Sequence, residues 1–485
     1  MTSATTGDPG ARVVETHIST LLFVGDRVFK VRKPVQFPFV DFRRADARRA
    51  DCQREVELNR RLAPDVYLGV ADLTLNGESL DSMVVMRRLP EERRLATLVR
   101  TGADTRSALH EVARTLAEFH RTARRSPDIS AAASAEAIRA GWKSNFAENA
   151  PFVGPVLDPA VDTEVLALVD RWLAGRAPLL RERAASGRIC DGHGDLLAED
   201  IFCLDDGPRI LDCVEFDDHL RFGDVCADVC FLAMDLERLG DPAAAVRFLE
   251  DYQSLAGDRF PVTLVHFSVA ERAYVRVKVA CLRGEQGQES AFREARQLHE
   301  LALRHLREGR VRLVLVGGLP GSGKTTLARG IGAARDWKIL RSDEVRAELI
   351  PREGPRRGYG EGRYAAEATG AVYAEMLRRA RVFLGSGESV VLDASWVSQA
   401  QRAQAVALAE HTSSDLTQLQ CQTDPAEATA RIVNRMSRGL DESEATPEVR
   451  AEMRRAMDPW PASVLVATCG APPEATLARA LTALG

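Results

Sequence analysis

No run in this 485-residue sequence is long and apolar enough to span a bilayer as a helix. The first ten residues lack the charged segment followed by an apolar core that marks a secretory signal. The nine cysteines are scattered, with no paired Cys-x-x-Cys spacing, so neither a disulfide framework nor a zinc ribbon is expected. Cys226 and Cys230, four apart in an apolar run, read as small core residues of a helix, because no His or Cys cluster completes four ligands. Together these absences set the expectation of reduced thiols, a cytoplasmic location and no membrane partner. A basic excess is missing too. The net charge is −5, and residues 310–485 carry 23 Lys+Arg against 21 Asp+Glu while the rest carry 42 against 49. That balance argues against a long nucleic-acid partner. There is no internal repeat and no low-complexity tract.

What is present points to two or three domains, given the length and a composition of 45% hydrophobic and 28% charged residues. The firmest feature is Gly318-Leu319-Pro320-Gly321-Ser322-Gly323-Lys324-Thr325, a complete phosphate-binding loop of the Walker A pattern. An apolar strand at 311–316 runs into it, and Thr326-Leu327-Ala328-Arg329 opens a helix. Gly318, Gly321 and Gly323 let backbone N–H groups around Ser322 curl about a phosphate, and the helix start at Thr326 adds a favourable dipole. Lys324 can reach the β- and γ-phosphates, and Thr325 offers a hydroxyl to Mg²⁺.

Beyond the loop, strand candidates at 338–340, 389–392, 416–422 and 463–467 alternate with helical stretches, which predicts a parallel sheet covered on both faces. Asp343 and Asp393 fall at strand ends, where such sheets place ligand chemistry. Either carboxylate could organise the metal or accept a hydroxyl proton, and a helix cap is the alternative role for Asp343. Arg431, Arg435 and Arg438 share one helical face at spacings of four and three. On a hinged segment they could cover the phosphates, and solvated surface arginines are the alternative.

The first three hundred residues open with strand candidates at 12–16, 20–24 and 27–32, the last two joined by Gly25-Asp26. A helix is expected over 43–62, a strand over 83–88, a helix over 106–124 and a looser stretch from there to Pro155. Helical periodicity marks 162–185 and dominates 225–306. Between them, Gly192-His193-Gly194-Asp195-Leu196 precedes two short apolar runs parted by the turn Asp205-Asp206-Gly207-Pro208, and Asp212 ends the second. Two aspartates so placed can divide proton acceptance and metal binding. A structural hydrogen bond is the expected role of His193.

These segments resemble two families. Residues 12–305 are similar to the aminoglycoside-phosphotransferase-like kinases, a branch of the protein-kinase fold. That resemblance implies that Lys30, in Val28-Phe29-Lys30-Val31, holds the α- and β-phosphates and that Glu55 is its helix partner. It implies Asp195 as the catalytic aspartate, Asp212 as an Mg²⁺ ligand, and a mainly structural role for Asp224 and Asp228. Two departures stand out: Asp200 replaces the family's metal-binding Asn, and His17-Ile18-Ser19 places no glycine in the loop over the phosphates. Residues 310–485 resemble the small P-loop kinases of the adenylate-kinase-like group, including gluconate and polynucleotide kinases. By that likeness Asp343 faces the acceptor with Arg346 beside it, Thr325 and Asp393 serve the metal, Arg431 serves the nucleotide, and Lys324 and Arg435 stabilise the transferring group.

The expected architecture is therefore multidomain. A flexible segment 1–11 precedes a bilobal α+β protein-kinase-like domain at 12–309, divided near residue 95, and an α/β P-loop kinase domain with a central parallel sheet follows at 310–485. The implied activity is transfer of a γ-phosphoryl group from ATP or GTP, with Mg²⁺, to the hydroxyl of a small-molecule acceptor at two sites. Two rival readings remain. The N-terminal half could sense a ligand and gate the P-loop half, or the C-terminal half could phosphorylate a nucleic-acid 5′-hydroxyl.

Overall fold

The computed structural model describes residues 11–16, 18–37, 40–76, 78–350, 360–438, 445–470 and 472–484. His17, named above, lies outside them. Two compact units divide the chain: Met1–Val165, Leu180–Phe260 and Leu264–Leu306 form one, and Leu166–Leu179, Pro261–Thr263 and Arg307–Gly485 form the other.

In the first unit five antiparallel strands lie in the order Ala11–Glu15, Ser19–Val24, Arg27–Arg32, Glu78–Arg87, Tyr67–Leu75. Gly25, at φ 59°, closes the hairpin in which Val24 faces Arg27. The helix Ala45–Asn59 buries Cys52, Glu55, Val56 and Asn59. Its apolar members pack on Val28, Val84 and Met86 of the sheet. A carboxylate and a carboxamide thus sit on the inward stripe, at helical spacing with the apolar residues. The strand Tyr67–Leu75 was not expected, because its outer residues are exposed at the sheet edge and carry no clean alternation. The stretch expected to be loose contains the helix Ala135–Asn149, which buries only Trp142 and Asn149 and so shows too thin a stripe to read. Its start is marked by Ser134, whose hydroxyl accepts from the Ala137 N–H at 3.2 Å.

The larger part of this unit places its chemistry on short strands. Ile189–Asp191 pairs antiparallel with Phe222–Asp224, and Ile201–Leu204 pairs with Gly207–Ile210. The second hairpin has Asp200 at its entry and Asp212 shortly past its exit. The helix Val225–Arg238 then runs through the core with Cys226 and Cys230 buried one turn apart.

The second unit is built on five parallel strands in the order Lys338–Arg341, Val390–Asp393, Arg312–Gly317, Asp415–Gln422, Val464–Ala467. Leu313 and Leu315 face a cluster with Met376, Leu392 and Trp396, whereas Val314 and Val316 face Leu327, Ile331 and Val391. Burial on both faces is why this central strand reads as one continuous apolar run. Arg176 belongs to the same unit and is 1% exposed. Its guanidinium donates to the carbonyls of Leu384, at 2.7 Å, and Thr412, near the C-terminal ends of two helices. Burial, aided by Arg171, pulls its pKa down to about 10.

One buried fork holds the first unit together at a distance from the aspartates. Arg183 donates to Asp224 at 2.8 Å and 2.6 Å and to Asp258 at 2.7 Å and 3.0 Å. Arg183→Ala leaves two buried carboxylates without their cation and is expected to destabilise this unit by about 3–5 kcal/mol. Urea unfolding followed by near-UV circular dichroism measures it, and a loss below about 1 kcal/mol would show the carboxylates finding water instead.

Candidate active sites

In the first unit Lys30 stands on the third strand with its ammonium between two carboxylates, Glu55 at 2.8 Å and Asp212 at 2.9 Å. The helix Ala45–Asn59 brings Glu55 inward, and Asn59 one turn later braces the other side. Its carboxamide donates to the Glu55 carbonyl at 2.9 Å and accepts from the Cys213 N–H at 2.9 Å. Asp212 adopts φ 63°, a left-handed conformation that a non-glycine residue holds at a cost. Burial alone would lower the Lys30 ammonium, but Asp212 and then Glu55 outweigh it, and its pKa stands well above the usual value. Lys30 in turn holds the Asp212 carboxyl below its usual range.

Asp195 and Asp200 complete the group. Burial raises the Asp195 carboxyl, with Arg276 at 3.6 Å opposing and Asp212 assisting. Asp200 is pushed well above its ordinary value by burial and by the fields of Asp212 and Asp195. Three carboxylates thus converge where the phosphotransferase pattern carries two and an Asn, a charge excess that suits divalent cations. The backbone before Asp195 is fixed from behind. Asp228 accepts from the His193 N–H at 2.8 Å, the Gly194 N–H at 2.9 Å and His120 Nε2 at 3.0 Å. His193 Nε2 lies 3.0 Å from the Leu211 carbonyl, and burial lowers its pKa, as befits a structural ring rather than a base.

In the second unit the phosphate-binding loop joins the strand Arg312–Gly317 to the helix Lys324–Arg335. Its carbonyls are engaged from outside: Pro320 by Arg450 at 2.5 Å, Gly321 by Arg431 at 3.4 Å and Ser322 by the Thr468 hydroxyl at 2.6 Å. Asp393 ends the neighbouring strand, 3% exposed. Burial raises its carboxyl, while Lys324, the Thr325 hydroxyl and Arg341 oppose the shift. Asp393 Oδ1 and Ser322 Oγ are buried with no hydrogen-bond partner among the described residues. Two such atoms beside Lys324 and Thr325 fit a site shaped for a hydrated cation and a phosphate. Asp343 is the second residue of the helix Ser342–Leu349, and the cap position falls on Arg341, so the capping alternative fails.

Not every expected residue joins these groups. Arg346 turns to the Arg363 carbonyl at 2.6 Å and stacks over Tyr364 at 4.6 Å. Arg431 lies on the loop and on the Thr468 carbonyl at 2.8 Å, whereas Arg435 donates to the Ala445 carbonyl at 3.1 Å. The side chain of Arg438 lies outside the described residues. Three residues were missed. Arg32 is 2% exposed and donates to Glu55 at 2.8 Å, to Asp51 at 2.5 Å and to Glu215; its period-two spacing from Lys30 on one strand was the available signal. Arg276 and Arg450 reach their sites from distant helices, and no local pattern marks them.

Gly321, at φ 78°, would place a Cβ 2.5 Å from the Ala428 carbonyl oxygen. Gly321→Ala is expected to weaken nucleotide binding by the second unit at least about tenfold while leaving the far-UV spectrum unchanged. Calorimetric titration with a non-hydrolysable ATP analogue in the Asp212→Asn background reads that site, and unaltered affinity would remove Gly321 from the cradle.

Two family descriptions match this chain: the phosphotransferase enzyme family over residues 24–262 and the AAA domain over residues 313–460. Uncharacterized proteins of Mycobacterium tuberculosis and Mycobacterium bovis are each 40% identical over 440 residues, covering 90% of this chain and 88% of theirs. Among solved structures, the GDP and kanamycin complex of APH(2")-IIia is 16% identical, covering 62% of this chain and 93% of that one with a TM-score of 0.39. A gluconokinase from Sinorhizobium meliloti is 17% identical, covering 36% of this chain and 91% of its own with a TM-score of 0.27. Among the described residues no helix is long and apolar enough to cross a membrane. With both descriptions matched in this order and relatives similar along nearly its whole length, the chain belongs to a family of two-part kinases that join a phosphotransferase domain to a P-loop domain of the AAA description.

Proposed function

We propose that the chain carries two ATP-dependent phosphoryl-transfer sites, one in a domain at 12–309 and one at 310–485, each acting on the hydroxyl of a small-molecule acceptor. The observation that carries this reading is Lys30 held between Glu55 and Asp212, with Asp195 and Asp200 in the same electrostatic group. Lys30 would engage the α- and β-phosphates, with Glu55 fixing the ammonium. Asp195, its carboxyl raised by burial, would accept the acceptor's proton as the hydroxyl oxygen attacks the γ-phosphorus and the bond from that phosphorus to the β-phosphate oxygen breaks, releasing ADP. Asp200 and Asp212 would hold Mg²⁺, which supplies neutralisation of the triphosphate charge. In the second unit Lys324 and the loop N–H groups would bind phosphates, Thr325 and Asp393 would hold the ion, and Asp343 would face the acceptor. Arg431 would serve the nucleotide and Arg435 the transferring group. A low net charge favours small acceptors over nucleic acid.

A second reading has its own support. Asp212 is engaged by Lys30 and Asp195 faces Arg276, so two of the three carboxylates already have a cation of the protein opposite them. That arrangement suits a ligand-sensing domain that gates the second.

Incubating a metabolite extract with ATP and reading added phosphate masses separates these readings. Asp195→Asn is expected to abolish one product and Lys324→Ala another, each by about a hundredfold or more. If Asp195→Asn alters no product, the sensing role replaces catalysis in the first unit. If every product survives Lys324→Ala, the loop is not a kinase centre.

Metal binding adds a pH test. Because the Asp200 carboxyl is raised, a cation must displace a proton there, and Mg²⁺ affinity of the first unit should fall as pH falls. Asp200→Asn removes that proton and flattens the dependence. Equal slopes in calorimetric titrations of the two proteins would take Asp200 out of the metal site.

A further inference from the structure

The first unit also holds a cavity of about 650 Å³, bounded by the helices Ala45–Asn59 and Arg106–Thr122. That volume accommodates a small metabolite. Arg54 and Arg61 enter it from one side and Arg114 and Arg124 from the other, over apolar surface from Leu58 and Phe119.

Its carboxylates are matched by their own neighbours. Glu57 accepts from Arg54 at 3.0 Å, and Glu118 pairs with Arg121 at 2.6 Å. Arg114 pairs with Glu111 at 2.9 Å. Asp191 is different: it is 4% exposed and faces three guanidinium groups, Arg221 at 2.8 Å, Arg61 at 3.5 Å and Arg124 at 3.5 Å. Arg221 is the close partner of that carboxylate, Arg124 stands farther from it, and Arg61 is held chiefly by backbone carbonyls, its Nε donating to Leu58 at 3.0 Å. Two guanidinium groups at the wall of a cavity, short of one negative charge and next to an apolar floor, describe half of a recognition site.

We propose that this cavity binds a phosphate monoester with an apolar body, the phosphate between Arg61 and Arg124 and the body on Phe119 and Leu58. Arg61 is already stacked over the Phe119 ring at 5.0 Å. The same guanidinium donates to the Asp191 carbonyl at 3.2 Å and the Gly192 carbonyl at 2.9 Å, and it lies 3.0 Å from Cys213 Sγ. Those atoms are one residue from Asp212 and a few from Asp195, and Arg54 flanks Glu55. A phosphate that draws Arg61 toward the cavity alters the support of both aspartates. This coupling rests on the reading of Asp195 and Asp212 as a nucleotide site; the binding itself does not.

The test uses the full chain with both nucleotide sites filled by Mg²⁺ and a non-hydrolysable ATP analogue, titrated with phenyl phosphate in a calorimeter. Saturable binding is expected, weakened about tenfold by Arg124→Ala and by Arg61→Ala. Arg124 has a side chain 61% exposed, so its variant folds whatever the fate of the other. Inorganic phosphate and benzoate, lacking the apolar body and the dianion respectively, should each bind more weakly. No saturable binding, or equal binding to both arginine variants and wild type, overturns the site. A second titration, of the ATP analogue into Lys324→Ala with and without phenyl phosphate, reads the coupling. An affinity that shifts in this protein but not when Arg61→Ala is added supports it, and an unshifted affinity refutes the coupling while leaving the site intact. Asp195→Asn with full phosphoryl transfer would refute the reading of the aspartates without touching the binding result.

Discussion

A charge imbalance organises the first unit. Lys30 and Arg32 share the carboxylates of Glu55, Asp51, Asp212 and Glu215, so two cations answer four potential anions in one cluster, buried except at the half-exposed Asp212. Burial and Glu55 push the Glu215 carboxyl up to about 7. The strand Arg27–Arg32, the helix Ala45–Asn59 and the loop after Ile210 can occupy only positions that keep these groups in reach. Removing Arg32 would leave the buried carboxylates of Asp51 and Glu215 without their cation, which is why the local fold and the chemistry cannot be separated here.

The second unit solves a different electrostatic problem. Around its loop Lys324, Arg431 and Arg450 stand close to the turn, with Glu427 paired to Arg431 and Asp393 buried beside the loop. The first unit concentrates negative charge that calls for a cation, and the second presents donors that call for an anion. One fold gathers its ligands from a helix, a hairpin and a strand; the other gathers them at the ends of parallel strands.

The two sites were not equally legible in the sequence. The phosphate-binding loop is local: glycine spacing, the strand before it and the helix after it lie within about two dozen residues, and each is written in composition. Lys30 and Glu55 are 25 positions apart and carry no periodic signal, because Glu55 sits on the inward stripe of its helix among apolar residues. Only a family resemblance singled them out. Arg276 and Arg450 are less legible still, since they reach Asp195 and Pro320 through tertiary packing. The edge strand Tyr67–Leu75 and the helix Ala135–Asn149 escaped for a related reason: each buries too few side chains to leave a periodic mark.

The bracing of the phosphate-binding loop carries one last consequence. Arg450, Arg431 and Thr468 hold the carbonyls of Pro320, Gly321 and Ser322 from outside, and the Gly318 N–H donates to the Ser395 carbonyl at 3.3 Å. Peptide planes pinned in this way have little freedom left to lose when a phosphate arrives. Association should then resemble a key entering a cut lock, with the ordering entropy already spent during folding and the encounter limited by diffusion and desolvation.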